Sequence, residues 1–260
     1  MSSAFKSVST ITFGDVAENH ARMQKIGKLH EHGYSVEQLH KLSDKLGEMG
    51  VTTEYINLNE KWQGEGVAEE AGVLVIRKGV QFILETRDTI ALNTEHKELV
   101  VDKKALMRGR VVNKHARWNL CFDDEDQEPT YEEGKGRIVA YKHIPLTQKI
   151  RETIASWTED ELLKAEANYY YDLKKCGIGY HGDGERRKVF AMRIGNSEEL
   201  PLYFQWFQKS KPVGERIQII LEDGDMYAMS EKAVGTDWLK KIKATLRHAT
   251  GADKYTIIKK

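Results

Sequence analysis

The chain has 260 residues, with 40 basic and 40 acidic side chains, a formal net charge of zero, 40% hydrophobic residues and two cysteines. This hydrophobic content supports a folded core, and so few cysteines exclude a disulfide-rich scaffold and favour a reducing compartment. No apolar run reaches the roughly eighteen residues of a membrane-spanning helix, and residues 1–6 lack the apolar core of a secretion signal. The sequence therefore predicts a soluble intracellular protein, cytoplasmic or nuclear, with no membrane partner. The balanced charge argues against extensive contact with duplex DNA.

Residues 1–100 are predicted to form a small N-terminal α/β extension, and residues 101–260 the main domain. Ser35 and Gln38 form a capping box that opens a helix with an apolar face, and Gly50 provides its C-terminal stop. Three short runs of strand-forming residues complete the extension: residues 10–13, 52–58 and 73–76.

The sequence in the middle of the chain predicts one strand, one loop and two helices. Residues 116–122 have the composition of a strand, and the acidic, Pro- and Gly-containing residues 123–136 predict an exposed loop. A helix is expected over residues 147–157. Thr158 with Glu161 predicts the cap of a second helix directly after it.

His181, Gly182 and Asp183, followed much later by His248, form the pattern of a mononuclear Fe(II) site. On a strand His181 and Asp183 point to the same side, whereas on a helix they would lie about 200° apart. Two imidazoles and one carboxylate leave three positions of an octahedral ion open for O₂ and a bidentate 2-oxo acid. The spacing therefore predicts an oxygenase site. The alternative is a loop with incidental polar residues.

Four short strands are predicted downstream, each bounded by turn-forming residues. Regularly spaced strands of this kind are typical of a barrel or jelly roll, in which strands far apart in sequence become neighbours. The expected fold is α+β, with a double-stranded β-helix (jelly roll) core, buttressing helices and the N-terminal extension. The four predicted strands are residues 189–194, 202–207, 217–221 and 225–229.

The order of these motifs resembles the AlkB-type Fe(II)/2-oxoglutarate dioxygenases, over residues 105–260. This resemblance implies Fe(II) and 2-oxoglutarate as cofactors, with His181, Asp183 and His248 as metal ligands and no further catalytic residue. The matching segments are Asn168-Tyr-Tyr170, His181-Gly-Asp183, Val189 to Gly195, Leu202 to Phe207, Leu221 to Met229, Leu246-Arg-His248 and the pair Lys254 and Lys260.

The resemblance also implies residues that bind 2-oxoglutarate. Asn168 and Tyr170 match the Asn-X-Tyr of the family, with Tyr169 or Tyr171 as alternatives to Tyr170. The two closing arginines of the family are replaced by lysines. A lysine is a point charge where arginine is a bidentate fork, so the carboxylate anchor would differ in geometry. The candidate anchors are Lys254, Lys260, Lys259 and Arg193.

The resemblance implies that Arg117, Trp118 and Asn119 contact the substrate, although Trp118 is equally compatible with a core position. The implied activity is hydroxylation or oxidative demethylation of a nucleobase in single-stranded nucleic acid or a nucleotide, with consumption of O₂ and 2-oxoglutarate. Two alternatives stay open. One is a hydroxylase of a protein side chain or small metabolite, and the other is a non-catalytic binding module.

Overall fold

The computed structural model describes residues 7–195 and 199–258, which leaves residues 1–6, residues 196–198, Lys259 and Lys260 outside the description. The strands are β1 Val8–Gly14, β2 Val16–Glu18, β3 Lys25–Gly27, β4 Thr53–Asn57, β5 Gly72–Ile76, β6 Lys104–Met107, β7 Arg110–Asn113, β8 Trp118–Asp123, β9 Ile138–Ala140, β10 Lys164–Tyr170, β11 Gly177–His181, β12 Val189–Gly195, β13 Leu202–Gln208, β14 Lys211–Ile219, β15 Met226–Met229 and β16 Thr245–Gly251. The helices are α1 Val36–Glu48, α2 Gly79–Leu84, α3 Ile90–Lys97, α4 Pro145–Thr158, α5 Glu231–Val234 and α6 Asp253–Thr256.

The fold is mixed α+β and is dominated by one large sheet. Its eight strands run in the order β4-β5-β15-β12-β1-β10-β8-β9, and every pair is antiparallel except β8 with β9. A second sheet has four strands in the order β11-β16-β13-β14. The pairs β2–β3 and β6–β7 form separate two-stranded sheets. The α+β class expected from the sequence is therefore confirmed.

Helices cover one face of the large sheet, and the four-stranded sheet packs on the other. In β5, Leu74 and Ile76 belong to a core that includes residues of α1, α2, α3 and α4. Val73 and Val75 belong instead to a second core shared with β13, β14 and β16. Because successive strand residues face opposite ways, a fully apolar strand such as β5 can serve both layers.

The first hundred residues contribute the strands β1, β4 and β5 to the large sheet. β1 lies between β10 and β12 and pairs with both along its length. β4 and β5 continue the same sheet beyond β15. If the first hundred residues formed a separate layer, β1 would lack both partner strands, and the edges of β10 and β12 that face it would be unpaired. Pairing with β1 satisfies these backbone groups and joins the two parts of the chain in one sheet.

The predicted helix after Ser35 is confirmed, including both hydrogen bonds of its capping box with Gln38. The second helix predicted after Thr158 is wrong, because Thr158 is the last residue of α4 and Glu159 takes a left-handed conformation with φ 57°. β10 begins soon afterwards. None of the helices in residues 7–195 and 199–258 has the length and apolar character needed to span a membrane.

Candidate metal centre and cavity

Strand pairing brings the two predicted histidine ligands together. His181, the last residue of β11, is the cross-strand partner of His248 in β16. The centres of their rings are 4.5 Å apart. Residues that are 67 positions apart in sequence thus become direct neighbours, because β11 and β16 are adjacent in the four-stranded sheet.

The turn after β11 places Asp183 beside both imidazoles. The Asp183 backbone N–H donates a hydrogen bond to the Val234 carbonyl oxygen at 2.9 Å. A Cβ at Gly182 would lie 2.0 Å from the Gly235 carbonyl oxygen, so this close approach requires glycine. Asp183 Oδ1 is 3.4 Å from His181 Nε2 and 3.5 Å from His248 Nε2.

Charge and tautomer both suit a metal at this triad. Burial, and next the nearby His248, lower the pKa of His181 to about 4, so its imidazole is neutral at pH 7. Its Nδ1 faces the carbonyl oxygens of Gly179 at 2.8 Å and His248 at 3.1 Å. The proton of the neutral ring therefore belongs on Nδ1, which leaves the Nε2 lone pair available to a metal.

The carboxylate of Asp183 is held in its ionised form. Burial alone would raise the pKa of Asp183, but His248, Arg186 and His181 outweigh this effect and hold that pKa below its usual range. One ligand atom from each of the three residues can be chosen so that all lie within 4.8 Å of one another. Among the histidine, cysteine and acidic residues that the structure describes, His181, Asp183 and His248 are the three that lie close enough together to hold one metal ion.

Arg186 fixes the oxygen of Asp183 that does not face the histidines. Its Nε lies 3.8 Å from Asp183 Oδ2, and its Nη2 lies 2.6 Å from Glu166 and 2.9 Å from Glu185. The Arg186 side chain is only 4% exposed. A buried guanidinium between three carboxylates orients Asp183 and offsets part of their charge.

The triad lines a cavity of about 650 Å³ between the two sheets. Strand alternation explains which side chains reach it. Ile11 and Ala167 pack on the helix side of the large sheet, so Thr10 in β1 and Asn168 in β10 point between the sheets. The other cavity residues used below are Thr12, Glu18, Glu166, Tyr170, Glu185, Arg193, Tyr227, Met229, Trp238 and Thr250.

Arg193 is a second buried cation of this cavity, in addition to Arg186. It is 1% exposed, its Nη1 donates to the Leu200 carbonyl oxygen at 2.5 Å, and its Nη2 donates to Thr250 Oγ1 at 3.3 Å. Its Nε has no hydrogen-bond partner, and the same is true of Thr10 Oγ1 on the neighbouring strand. Within the described ranges no carboxylate pairs with Arg193. Buried polar groups without partners indicate a ligand, and here that ligand would be an anion.

The structure does not bring Lys254 to the cavity. Lys254 is exposed on α6, with its Nζ 4.9 Å from the centre of the Tyr255 ring, and it is not among the cavity-lining residues. Lys259 and Lys260, the other lysines predicted to anchor the cofactor, lie outside the described residues. Of the predicted anchors that the structure describes, Arg193 is the one that lines the same cavity as the triad.

The three consecutive tyrosines of β10 and its end have different surroundings. Tyr170 lines the cavity together with Asn168, as the resemblance implied. Tyr169 points to the helix side, where its hydroxyl lies 3.0 Å from Nδ1 of His96. Tyr171 stacks on Trp118. Alternation on the strand thus selects Tyr170 from the three candidates.

The predicted substrate contacts divide in the same way. Arg117 lines the cavity and donates from Nε to Asn168 Oδ1, and the buried Asn119 donates to the same oxygen at 2.8 Å. Trp118 points away from them into a separate cavity of about 300 Å³. There its ring stacks on Tyr171 with centres 4.2 Å apart, and Lys103 Nζ lies 4.1 Å from the indole centre. Trp118 therefore has no contact with the triad cavity.

Sequence reasoning missed several cavity residues that have a recognisable signal. Thr10 and Thr12 alternate with the apolar residues of β1, and Glu166 precedes Asn168 by two positions. Period-two alternation on a strand with two covered faces would have indicated all three. Glu18 ends the three-residue strand β2, which is too short to show such a pattern, and Arg186 lies in a connecting segment.

Comparison with known proteins identifies a family. No family model matches the chain. The chain is 48% identical over 254 residues to uncharacterized protein R156 of Acanthamoeba polyphaga mimivirus, a match that covers 96% of this chain and 98% of that protein. The chain therefore belongs to the same family as R156. The match runs nearly end to end, so it spans the strands of the first hundred residues as well as the segments that carry the triad in this chain.

Proposed function

We propose that this protein is an Fe(II)- and 2-oxoglutarate-dependent dioxygenase with the fold of the AlkB-like enzymes. The observation that carries the proposal is the grouping of His181, Asp183 and His248 on the wall of a cavity that also contains the buried cation Arg193, whose Nε has no hydrogen-bond partner. Two imidazoles and one carboxylate are the donors of the facial triad of non-haem iron oxygenases.

The arrangement of strands around the cavity supports a jelly-roll core. The strands β10, β1, β12 and β15 of the large sheet face the four strands β11, β16, β13 and β14. Two four-stranded sheets packed in this way match the eight strands of a double-sheet jelly roll. In this arrangement β1, the first strand of the described chain, lies between β10 and β12.

The cavity residues fit 2-oxoglutarate. Its 2-oxo acid end would chelate the metal held by the triad, and its distal carboxylate would bind Arg193. An arginine suits a carboxylate because its planar fork can donate two parallel hydrogen bonds. The hydroxyl of Thr10, which has no hydrogen-bond partner, adds a further donor on the strand next to Arg193.

The bound cofactors would supply an oxidant that removes hydrogen from a substrate C–H bond, as O₂ and 2-oxoglutarate become a substrate hydroxyl, succinate and CO₂. The chain itself binds and orients the reactants. The Arg186 guanidinium lies beside the Asp183 carboxylate, and Asn168 accepts a hydrogen bond from Arg117 at the cavity wall. These contributions position the reacting groups before the chemical step.

The substrate predicted by the AlkB-like resemblance is a nucleobase in single-stranded nucleic acid or a nucleotide. Arg117 at the cavity wall supports this prediction, since it is free of carboxylate partners in the described chain. Trp118 gives no support, because it lies in a different cavity. The second candidate, oxidation of a protein side chain or small metabolite, is favoured by the acidic residues of the cavity wall.

The test is anaerobic titration of the full chain with Fe(II) and 2-oxoglutarate, followed by succinate measurement after O₂ is admitted. We expect a metal-to-ligand charge-transfer band and slow succinate release in the wild type. His181→Ala and Asp183→Ala should lose both, because a triad without one ligand holds Fe(II) poorly. His32→Ala, which changes an exposed histidine, is the matched control.

Unfolding curves of the same variants show whether lost activity reflects lost structure. Succinate release that survives in both His181→Ala and Asp183→Ala would refute the proposal. A wild type that binds neither Fe(II) nor 2-oxoglutarate would favour the non-catalytic binding module instead.

A further inference from the structure

The wall of the cavity next to the triad is rich in carboxylates. Glu18, Glu166 and Glu185 all line it, and Arg186 is the cation that contacts two of them. Arg186 also faces Asp183. One guanidinium therefore serves three carboxylates, and the cation next to Glu18 is Lys25, its partner across the hairpin, which lines the same cavity without forming an ion pair with Glu18 in the described chain.

Glu18 is held in place but is not neutralised. Its Oε1 accepts a hydrogen bond from the Arg22 backbone N–H at 2.7 Å, and its own N–H donates to Glu166 Oε2 at 3.4 Å. The residue is 8% exposed, and no lysine or arginine in the described chain forms an ion pair with it. Burial raises the pKa of Glu18 to about 7; the nearby Glu185 and Glu166 add to this rise, whereas the hydrogen bond from the Arg22 backbone N–H and the charge of Lys25 act against it. A buried carboxylate of this kind gains most from a cationic ligand.

The cavity independently shows that it is built for a ligand. The buried Arg193 Nε and Thr10 Oγ1 have no partner, and both point to an anion at their end of the cavity. Glu18 lies on the hairpin β2–β3, a different element from the strands β12 and β1 that carry those two groups. The cavity thus has one site for an anion and a separate carboxylate suited to a cation.

The shape and chemistry of the wall favour an aliphatic cation over a planar one. Tyr170 and Tyr227 line the cavity but are buried in the core, and Trp238 faces the guanidinium of Arg247 at 5.4 Å. These rings do not offer the pair of free faces that would sandwich a base. Thr12 and Met229 are the kind of side chain that packs on a flexible alkyl chain.

We propose that the substrate of this site carries an aliphatic ammonium group, as in a lysine side chain or an alkylamine, and that Glu18 binds the ammonium. This inference rests on the proposed dioxygenase function and names the substrate class of the same cavity. The reacting C–H bond would belong to the alkyl chain that leads from the ammonium toward the triad. Glu18 is then the residue that determines specificity, and it takes no part in metal binding.

Calorimetric binding of three probes to the full chain, loaded with Mn(II) and 2-oxoglutarate, tests this assignment. The probes are pentylammonium, its neutral counterpart 1-pentanol, and the planar cation 1-methyladenosine. We expect pentylammonium to bind at least about tenfold more tightly than 1-pentanol, since a charge-assisted hydrogen bond accounts for roughly ten- to a hundredfold in affinity. In Glu18→Gln this preference should disappear.

Two further variants separate specificity from stability. Glu98→Gln changes an exposed carboxylate at the end of α3 and should leave the preference intact. Glu18→Asp keeps the charge on a shorter side chain and should still prefer pentylammonium. It takes the place of Glu18→Gln in the test if Glu18→Gln does not fold. Three results would overturn the inference. The first is an equal preference in the wild type and Glu18→Gln, and the second is no preference in a folded Glu18→Asp. The third is tighter binding of 1-methyladenosine than of pentylammonium. Failure of the dioxygenase proposal is visible separately, as absence of Mn(II) and 2-oxoglutarate binding.

Discussion

Single residues show what local sequence could predict about the site. The His-X-Asp spacing predicted that His181 and Asp183 would share one side of an extended segment, and the structure brings them together with His248. The carboxylate anchor was harder to identify. Lys254 follows His248 closely in sequence, but the chain turns into α6 and leaves Lys254 exposed. Arg193 reaches the cavity only because β12 lies opposite β16, and pairing between distant strands cannot be deduced from one sequence.

Arg193 and Lys254 give opposite predictions for cofactor binding. Arg193→Met should raise the 2-oxoglutarate concentration needed for turnover about ten- to a hundredfold, because a charge-assisted bond to a carboxylate is lost. Lys254→Ala should have no such effect. The measurement is succinate release as a function of 2-oxoglutarate concentration, with Fe(II) affinity determined in parallel.

Arg193→Lys controls for the burial of this position, since it retains the charge but not the planar fork. We expect its 2-oxoglutarate requirement to lie between those of the wild type and Arg193→Met. An increased requirement in Lys254→Ala alone would show that the anchor is the lysine predicted from the sequence.

Secondary-structure elements were predictable where their signals are local. The capping box of Ser35 and Gln38 correctly opened α1, because each of its hydrogen bonds spans only three residues. The same reasoning failed at Thr158 and Glu161, where the chain enters β10. Pairing of β10 with β1 and β8 decides that outcome, and contacts between distant elements override a local capping signal.

The packing of α3 on α4 and β10 contains a histidine whose ionisation should affect stability. His96 Nδ1 lies 3.0 Å from the Tyr169 hydroxyl, and its Nε2 lies 2.9 Å from Thr147 Oγ1. Burial lowers the pKa of His96 to about 4. Because the folded pKa is below the usual value near 6.5, the unfolded chain binds the proton more readily.

The free energy of unfolding should therefore include a contribution that is complete above pH 6.5 and is lost as the pH falls toward 4. The expected loss is about 3 kcal/mol in total. Urea unfolding of the wild type and His96→Gln at several pH values measures it, with His32→Gln as the exposed control. The difference between wild type and His96→Gln should shrink as the pH falls. A difference that does not change with pH would contradict the assignment.

At the scale of the whole molecule, the large sheet joins the two parts that the sequence appeared to separate at residue 100. Composition changes near that boundary, but β1 pairs with β10 on one side and β12 on the other. Strand propensity alone does not show which distant strands β1 pairs with. The jelly-roll interpretation also depends on β1, since that strand fills the middle of the wall carrying Thr10, Asn168 and Arg193.

The fragment of residues 101–260, expressed without the first hundred, should therefore fail to fold cooperatively. It would lack β1 between β10 and β12, the strands β4 and β5, and the apolar residues of α1 that cover the helix side of the sheet. Unpaired strand edges and uncovered apolar surface both disfavour a compact state. Near-ultraviolet circular dichroism and urea unfolding of the fragment, compared with the full chain, would show the loss of tertiary structure, and Fe(II) binding should be lost with it. A fragment that unfolds cooperatively and binds Fe(II) like the full chain would show instead that the N-terminal strands are a separable extension, because the triad would then need only the strands after residue 100.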